Sequence, residues 1–150
     1  MSIYTLGSIF GKAIAVDLFG IKVLAGIVEW GLLLGAQAFI INVILSSMSL
    51  NSIRSRSMTF FNNVVAGPVI EEIIYRLVLI SVLSLVFNSV LLAVVVSAFL
   101  FAVGHILWGG SAFINTFIAG LIWGWAFLTF GVAVPIIAHM FHNFIVTILG

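Results

Sequence analysis

The sequence predicts an all-α, polytopic membrane bundle of about six segments, and three observations carry that prediction. Hydrophobic residues make up 64% of the chain and charged residues 6%, against about 25% charged in an ordinary soluble domain. Mean hydropathy is +1.42, which leaves too little polar surface to cover a water-soluble globule. The apolar runs are long and lack the period-two alternation of lipid-facing strands, which argues against a β-barrel.

A bilayer core of about 30 Å takes about 20 residues of helix, so a chain of 150 residues has room for roughly six crossings. The first segment, near 3–20, carries Thr5, Ser8 and Lys12 at helical spacing. That stripe fits a helix lying in the membrane plane or a span that turns its polar face toward protein. A second apolar stretch occupies 24–47 and gives way to the polar run Ser46 to Asn63, read as a loop. Arg54 and Arg56 form the clear basic pair beside a span and put that loop in the cytoplasm. The third segment runs from Pro68 to Phe87. Proline suits a first helical turn because its missing N–H is no loss there, and Glu71 and Glu72 then sit where the helix dipole favours negative charge. Asn88 and Ser89 lead to a fourth segment at 90–108, Gly109 and Gly110 to a fifth at 113–130, and Gly131 to a sixth at 132–149. No repeat or linker divides the chain, so it reads as one membrane domain over 1–150.

Composition also excludes partners and chemistries. A net charge of +1 without a basic run leaves no electrostatic footprint for nucleic acid. Without cysteine there is no disulfide framework, thiolate metal site or Cys nucleophile. The expected surroundings are a lipid bilayer, with the chain multi-pass in the cell membrane.

Ionisable and amide side chains at membrane depth are costly, so each is a candidate site with a partner to be named. Five of the nine charges fall between Arg54 and Arg76, and no Asp, Glu, Lys or Arg follows Arg76. Glu72 and Arg76 are i, i+4 on one helix face and can pair, whereas Glu71 points about 100° away and is available for other work. The plain alternative is a capped helix start with an interfacial ion pair. His105 ends the fourth segment at the depth of Glu71, with Phe101 one turn earlier on the same face. His139 and Asn143 share a face of the last segment, and His142 lies on its flank. Each of these also has a packing interpretation, with histidine and asparagine as polar glue between helices, and that interpretation is preferred for Phe101 and His142.

The combination of a carboxylate pair, one histidine and a His/Asn face on three helices fits a water activated by a carboxylate. Glu71 would act as general base, His105 would hold or help deprotonate the water, and His139 and Asn143 would donate hydrogen bonds to the oxyanion of a cleaved amide. Zn²⁺ held by Glu and two or three His is chemically sensible too, but the histidines lack HExxH spacing, so the sequence does not support a zincin.

Glu71, Glu72 and Arg76 form an EExxxR pattern, Phe101 and His105 an FxxxH pattern, and His139 and Asn143 an HxxxN pattern. In that order, over about 60–146, the chain resembles the CPBP family of CAAX-processing and bacteriocin-processing membrane proteases, also called Abi. The resemblance implies a wholly helical intramembrane endopeptidase whose site opens to the cytoplasm and whose substrate is a membrane-associated or lipidated peptide. It implies Glu71 as the water-activating carboxylate assisted by His105, His139 and Asn143 as the oxyanion pair, and Glu72 with Arg76 as supporting residues; this chemistry needs no metal, so no obligatory metal or other cofactor is expected. The chain departs from the family at Leu77, where glycine is common, and in having few segments before the core. These departures leave open whether a second copy completes the substrate cavity. Two other functions stay open: a non-catalytic scaffold or bacteriocin-immunity protein of the same fold, and a proton-coupled carrier, for which the inverted repeats expected of carriers are not visible.

Overall fold

The computed structural model describes residues 21–47 and 60–149. The predicted first segment and the Arg54/Arg56 loop lie outside the described residues, all of whose regular elements are helical. Helix α1 spans Ile21–Ser47. Helix α2 is a continuous helical run over 60–87 that widens to π geometry at Asn62–Ala66 and Ile73–Ile80. Helices α3, α4 and α5 cover Val90–Val103, Gly110–Phe130 and Ala133–Leu149. Among the described residues two stretches are long and apolar enough to cross a membrane, Gly26–Leu45 and Gly110–Phe130, while α3 and α5 are apolar but shorter.

The sequence places the turns well, and for local reasons. Asn88 takes the left-handed conformation at φ 50°, one of the few residue types that does so readily. Ser89 then caps α3 by accepting the Leu92 N–H at 3.3 Å. Gly109 and Gly131 have φ of 108° and 86°, where a side chain would be strained.

Two boundaries differ from expectation. Helix α2 already runs at 60, ahead of Pro68, so Asn62 and Asn63 are helical and the two glutamates are not in a first turn. The helix passes the proline by widening: the Gly67 N–H bonds the Asn62 carbonyl, five residues back, in the turn before the residue with no N–H to give. Helix α3 stops at Val103, and His105 sits in the turn beyond it, followed by a short 3-10 turn at Ile106–Trp108.

Small residues set the helix packing. A Cβ on Gly35 would lie 2.6 Å from the Ala138 carbonyl and one on Gly31 2.5 Å from Ile137, so α1 and α5 meet nearly backbone to backbone. Gly120 and Gly124 do the same for α4 against Ala98 and Val94 of α3. Such i, i+4 small-residue pairs let helices approach where water gives no hydrophobic drive. Polar side chains share the interior: Glu72, Arg76, Ser97, Asn115, Thr116, His139 and His142 are buried beside Phe101, Trp123 and Phe127, whereas every helix turns large apolar side chains outward, among them Leu33, Val86, Leu91, Trp125 and Leu149. That distribution is the one expected of helices whose solvent is lipid.

Candidate active site

The two glutamates end the short α-helical stretch Gly67–Glu72, between the π-widened turns of α2. Widened turns of this kind recur at functional sites. The second π stretch is held from outside, because Ser97 of α3 donates to the Tyr75 carbonyl at 2.6 Å. Within the helix, Ser81 donates to the Leu77 carbonyl at 2.6 Å.

Glu72 and Arg76 are both 0% exposed and pair at 2.9 Å between Oε2 and Nε. The contact does not meet the angular requirement of a hydrogen bond, so it is an ion pair by proximity rather than a linear N–H···O bond. The guanidinium also lies over the Phe101 ring, 4.9 Å from its centroid, a cation–π contact in a desolvated setting.

Glu72 has a second task that sequence spacing does not reveal. Its Oε1 accepts a hydrogen bond from His139 Nδ1 at 2.9 Å. With Nδ1–H held there, His139 turns Nε2 toward Glu71, 3.6 Å from Oε2, too long for a hydrogen bond but within ion-pair range. The imidazole is tilted on Trp123 at 4.7 Å and meets Phe101 edge-on at 5.7 Å. One carboxylate thus anchors the ring and the other faces it.

His105 is fixed in the same way from its backbone side. Its Nδ1 lies 2.9 Å from the Phe101 carbonyl. A carbonyl can only accept, so Nδ1 carries the proton and neutral His105 keeps a lone pair on Nε2. Phe101 and Trp108 hold the ring edge-on at 4.9 and 4.6 Å. Phe101, buried and packed as expected, touches His105, His139 and Arg76 with the same ring.

Asn143 donates from Nδ2 to the Asn63 carbonyl at 2.8 Å, and Asn63 donates to Thr147 Oγ1 at 2.8 Å. These bonds tie α5 to the first π turn of α2. Glu71, His105, His139 and Asn143 all line one cavity of about 260 Å³. Glu71 is the open member, its side chain 36% exposed against 5% for His139. Glu72 and Arg76 stand behind the wall. His142 lines the cavity as well, but its Nδ1 has no partner among the described residues, so the helix-interface bond expected of it is absent at that atom. Sequence reasoning passed over Asn42, Asn62, Asn63, Asn115 and Thr116, which also line the cavity. Their signal was available, since an amide at membrane depth is costly without a use. Among the described residues no three His, Asp or Glu side chains converge as a metal-ligand set.

Comparison with known proteins gives two matches. The family model described as type II CAAX prenyl endopeptidase Rce1-like matches residues 53–145, the stretch that holds all three motif patterns. The sporulation-killing factor biosynthesis protein SkfC of Bacillus subtilis (strain 168) is 35% identical over 79 residues, covering 50% of this chain. This chain spans only 16% of that relative's length. No solved structure matches.

Proposed function

Because the chain belongs to the type II CAAX prenyl endopeptidase Rce1-like family, we propose that it is an intramembrane endopeptidase that cleaves a peptide bond with a water activated by Glu71. The observation that carries this reading is the meeting of Glu71, His105, His139 and Asn143 at one cavity, the last three each tied to a partner and Glu71 left with room for a water.

The chemistry follows from the donors present. Glu71 takes a proton from a water whose other hydrogen bonds to His105 Nε2, and the oxygen attacks the scissile carbonyl carbon. Asn143 has a second Nδ2–H beyond the one given to Asn63. That hydrogen and the Nε2–H of a cationic His139, whose Nδ1–H stays on Glu72, receive the oxyanion. When the C–N bond breaks, Glu71 returns its proton to the leaving amine. Glu72 and Arg76 act through His139, as positioning residues.

The substrate we propose is a membrane-associated peptide or protein, lipidated or not. The name of the Bacillus relative, a biosynthesis protein for a killing factor, supports a peptide precursor as one such substrate. The chain is taken as multi-pass in the cell membrane with the cavity toward the cytoplasm. Arg54 and Arg56 precede the end of α2 that carries the cavity-lining Asn62 and Asn63, and basic residues beside a span stay inside.

The test compares purified wild type with Glu71→Gln and His105→Ala on a panel of membrane-tethered peptides. Wild type should cut at least one peptide, and each variant should lose on the order of a hundredfold or more in rate, the usual contribution of a positioned acid–base group. Cleavage unchanged in both variants overturns the mechanism. A partner that co-purifies equally with all three forms, with no peptide cut, points to the scaffold function instead.

A further inference from the structure

We infer that Asn115 and Trp123 of α4, with His142 of α5, form a binding wall for the main chain of an unwound peptide; this rests on the peptidase reading and names how its substrate is held. Asn115, Ala119 and Trp123 succeed one another at four-residue spacing, so they share one face of α4, and all three line the cavity with His142. None belongs to the proposed reacting set.

Each of the three polar side chains carries one buried atom with no hydrogen-bond partner among the described residues: Asn115 Oδ1, Trp123 Nε1 and His142 Nδ1. The residues are 6%, 2% and 8% exposed. An unmet polar group in apolar surroundings is costly, and here such groups gather at the same cavity as Glu71. Their chemistry is complementary to a peptide unit. Asn115 Oδ1 accepts only, as a backbone N–H requires, and the indole Nε1–H donates only, as a backbone carbonyl requires. The terminal torsion of asparagine is broad, so its amide can turn toward a ligand without leaving a rotamer well.

The state of the substrate supplies the second argument. In a helix each peptide carbonyl is engaged by the N–H four residues on and screened by the side chains of its own turn. A substrate entering from the bilayer as a helix must unwind to reach Glu71. Unwinding frees backbone N–H and C=O groups that find no water in the hydrocarbon region, so the protein itself must satisfy them. Asn115 and Trp123 carry such partners on residues that line the cavity.

The experiment measures binding of a membrane-tethered peptide to the Glu71→Gln protein, which binds without turnover, and to the same protein carrying Asn115→Leu or Trp123→Phe. Each added substitution should raise Kd about fivefold to tenfold, the loss of one hydrogen bond. A series of peptides in which one backbone amide at a time is replaced by an ester removes single N–H donors and leaves the protein untouched. At one position the ester should weaken binding several-fold when Asn115 is present and have no effect in the Asn115→Leu protein, a coupling that a merely structural role would not produce. Ester effects that are identical in both proteins overturn the wall, as does a peptide that binds neither. If the coupling is found but wild type cuts nothing, the wall stands and hydrolysis falls. If wild type cuts peptides and no coupling appears, hydrolysis stands and the wall falls.

Discussion

Removing Glu72 should destabilise the fold more than removing Glu72 and Arg76 together. Both side chains are 0% exposed, and Arg76 Nη1 and Nη2 have no hydrogen-bond partner among the described residues. In Glu72→Ala the guanidinium loses its paired carboxylate and keeps the Phe101 face, 4.9 Å away. Stranding one member of a buried pair costs about 3–5 kcal/mol. At roughly 2–4 °C per kcal/mol for a chain of this size, the melting temperature should fall by roughly 6–20 °C. In Glu72→Ala/Arg76→Leu the guanidinium is gone, and the loss that remains is the buried His139 Nδ1–H without its acceptor, about 1–3 kcal/mol. The double variant should therefore melt between the single variant and wild type. It should nevertheless be inactive, because His139 Nδ1 has lost its Glu72 anchor at 2.9 Å. Thermal unfolding in detergent, followed by tryptophan fluorescence, reads the first quantity, and peptide cleavage reads the second. A single variant that melts within about 2 °C of wild type, below about 1 kcal/mol, would refute the reasoning. So would a double variant as unstable as the single one.

Three further outcomes follow from the packing and the site. Gly35→Ala should lower stability by about 1–3 kcal/mol, because its Cβ would meet the Ala138 carbonyl at 2.6 Å; Gly26→Ala, with nothing within 4 Å, should be neutral or slightly stabilising in the same melt. Ser97→Ala strips the Tyr75 carbonyl of its 2.6 Å donor and should cost about 1–3 kcal/mol in thermal unfolding. Asn143→Ala removes the 2.8 Å tie to Asn63 and a proposed oxyanion donor. Its cleavage rate should fall about a hundredfold to a thousandfold, while stability changes by only about 1 kcal/mol.

The family was legible because its signal is local. Glu72 and Arg76, Phe101 and His105, and His139 and Asn143 are each four residues apart; helical geometry puts the first and last pairs on one face, while His105, in the turn beyond α3, reaches back to Phe101 through its Nδ1. Asn88, Gly109 and Gly131 were legible as turns because their backbone conformations favour those residue types. Contacts between helices were not legible. Nothing in spacing joins Glu72 to His139 across 67 positions, so Glu72 was assigned to Arg76 alone. Asn62 and Asn63 were read as loop because hydropathy falls there, although their polarity faces the cavity from within a helix. The π turns around Pro68 leave no distinct composition. The glycines at 31 and 35 carried a recognisable spacing that went unused, and it is they that bring α5 close to α1.

The central claim is that Glu71 activates the water. Its most direct test is the single-turnover cleavage rate of Glu71→Gln on a peptide that wild type cuts, in protein whose melting temperature matches wild type. Glutamine keeps the shape of the side chain, 36% exposed in the cavity, but cannot take the proton. With Glu71 as the base, the rate should fall by about a hundredfold to ten-thousandfold. A rate within about threefold of wild type would contradict it.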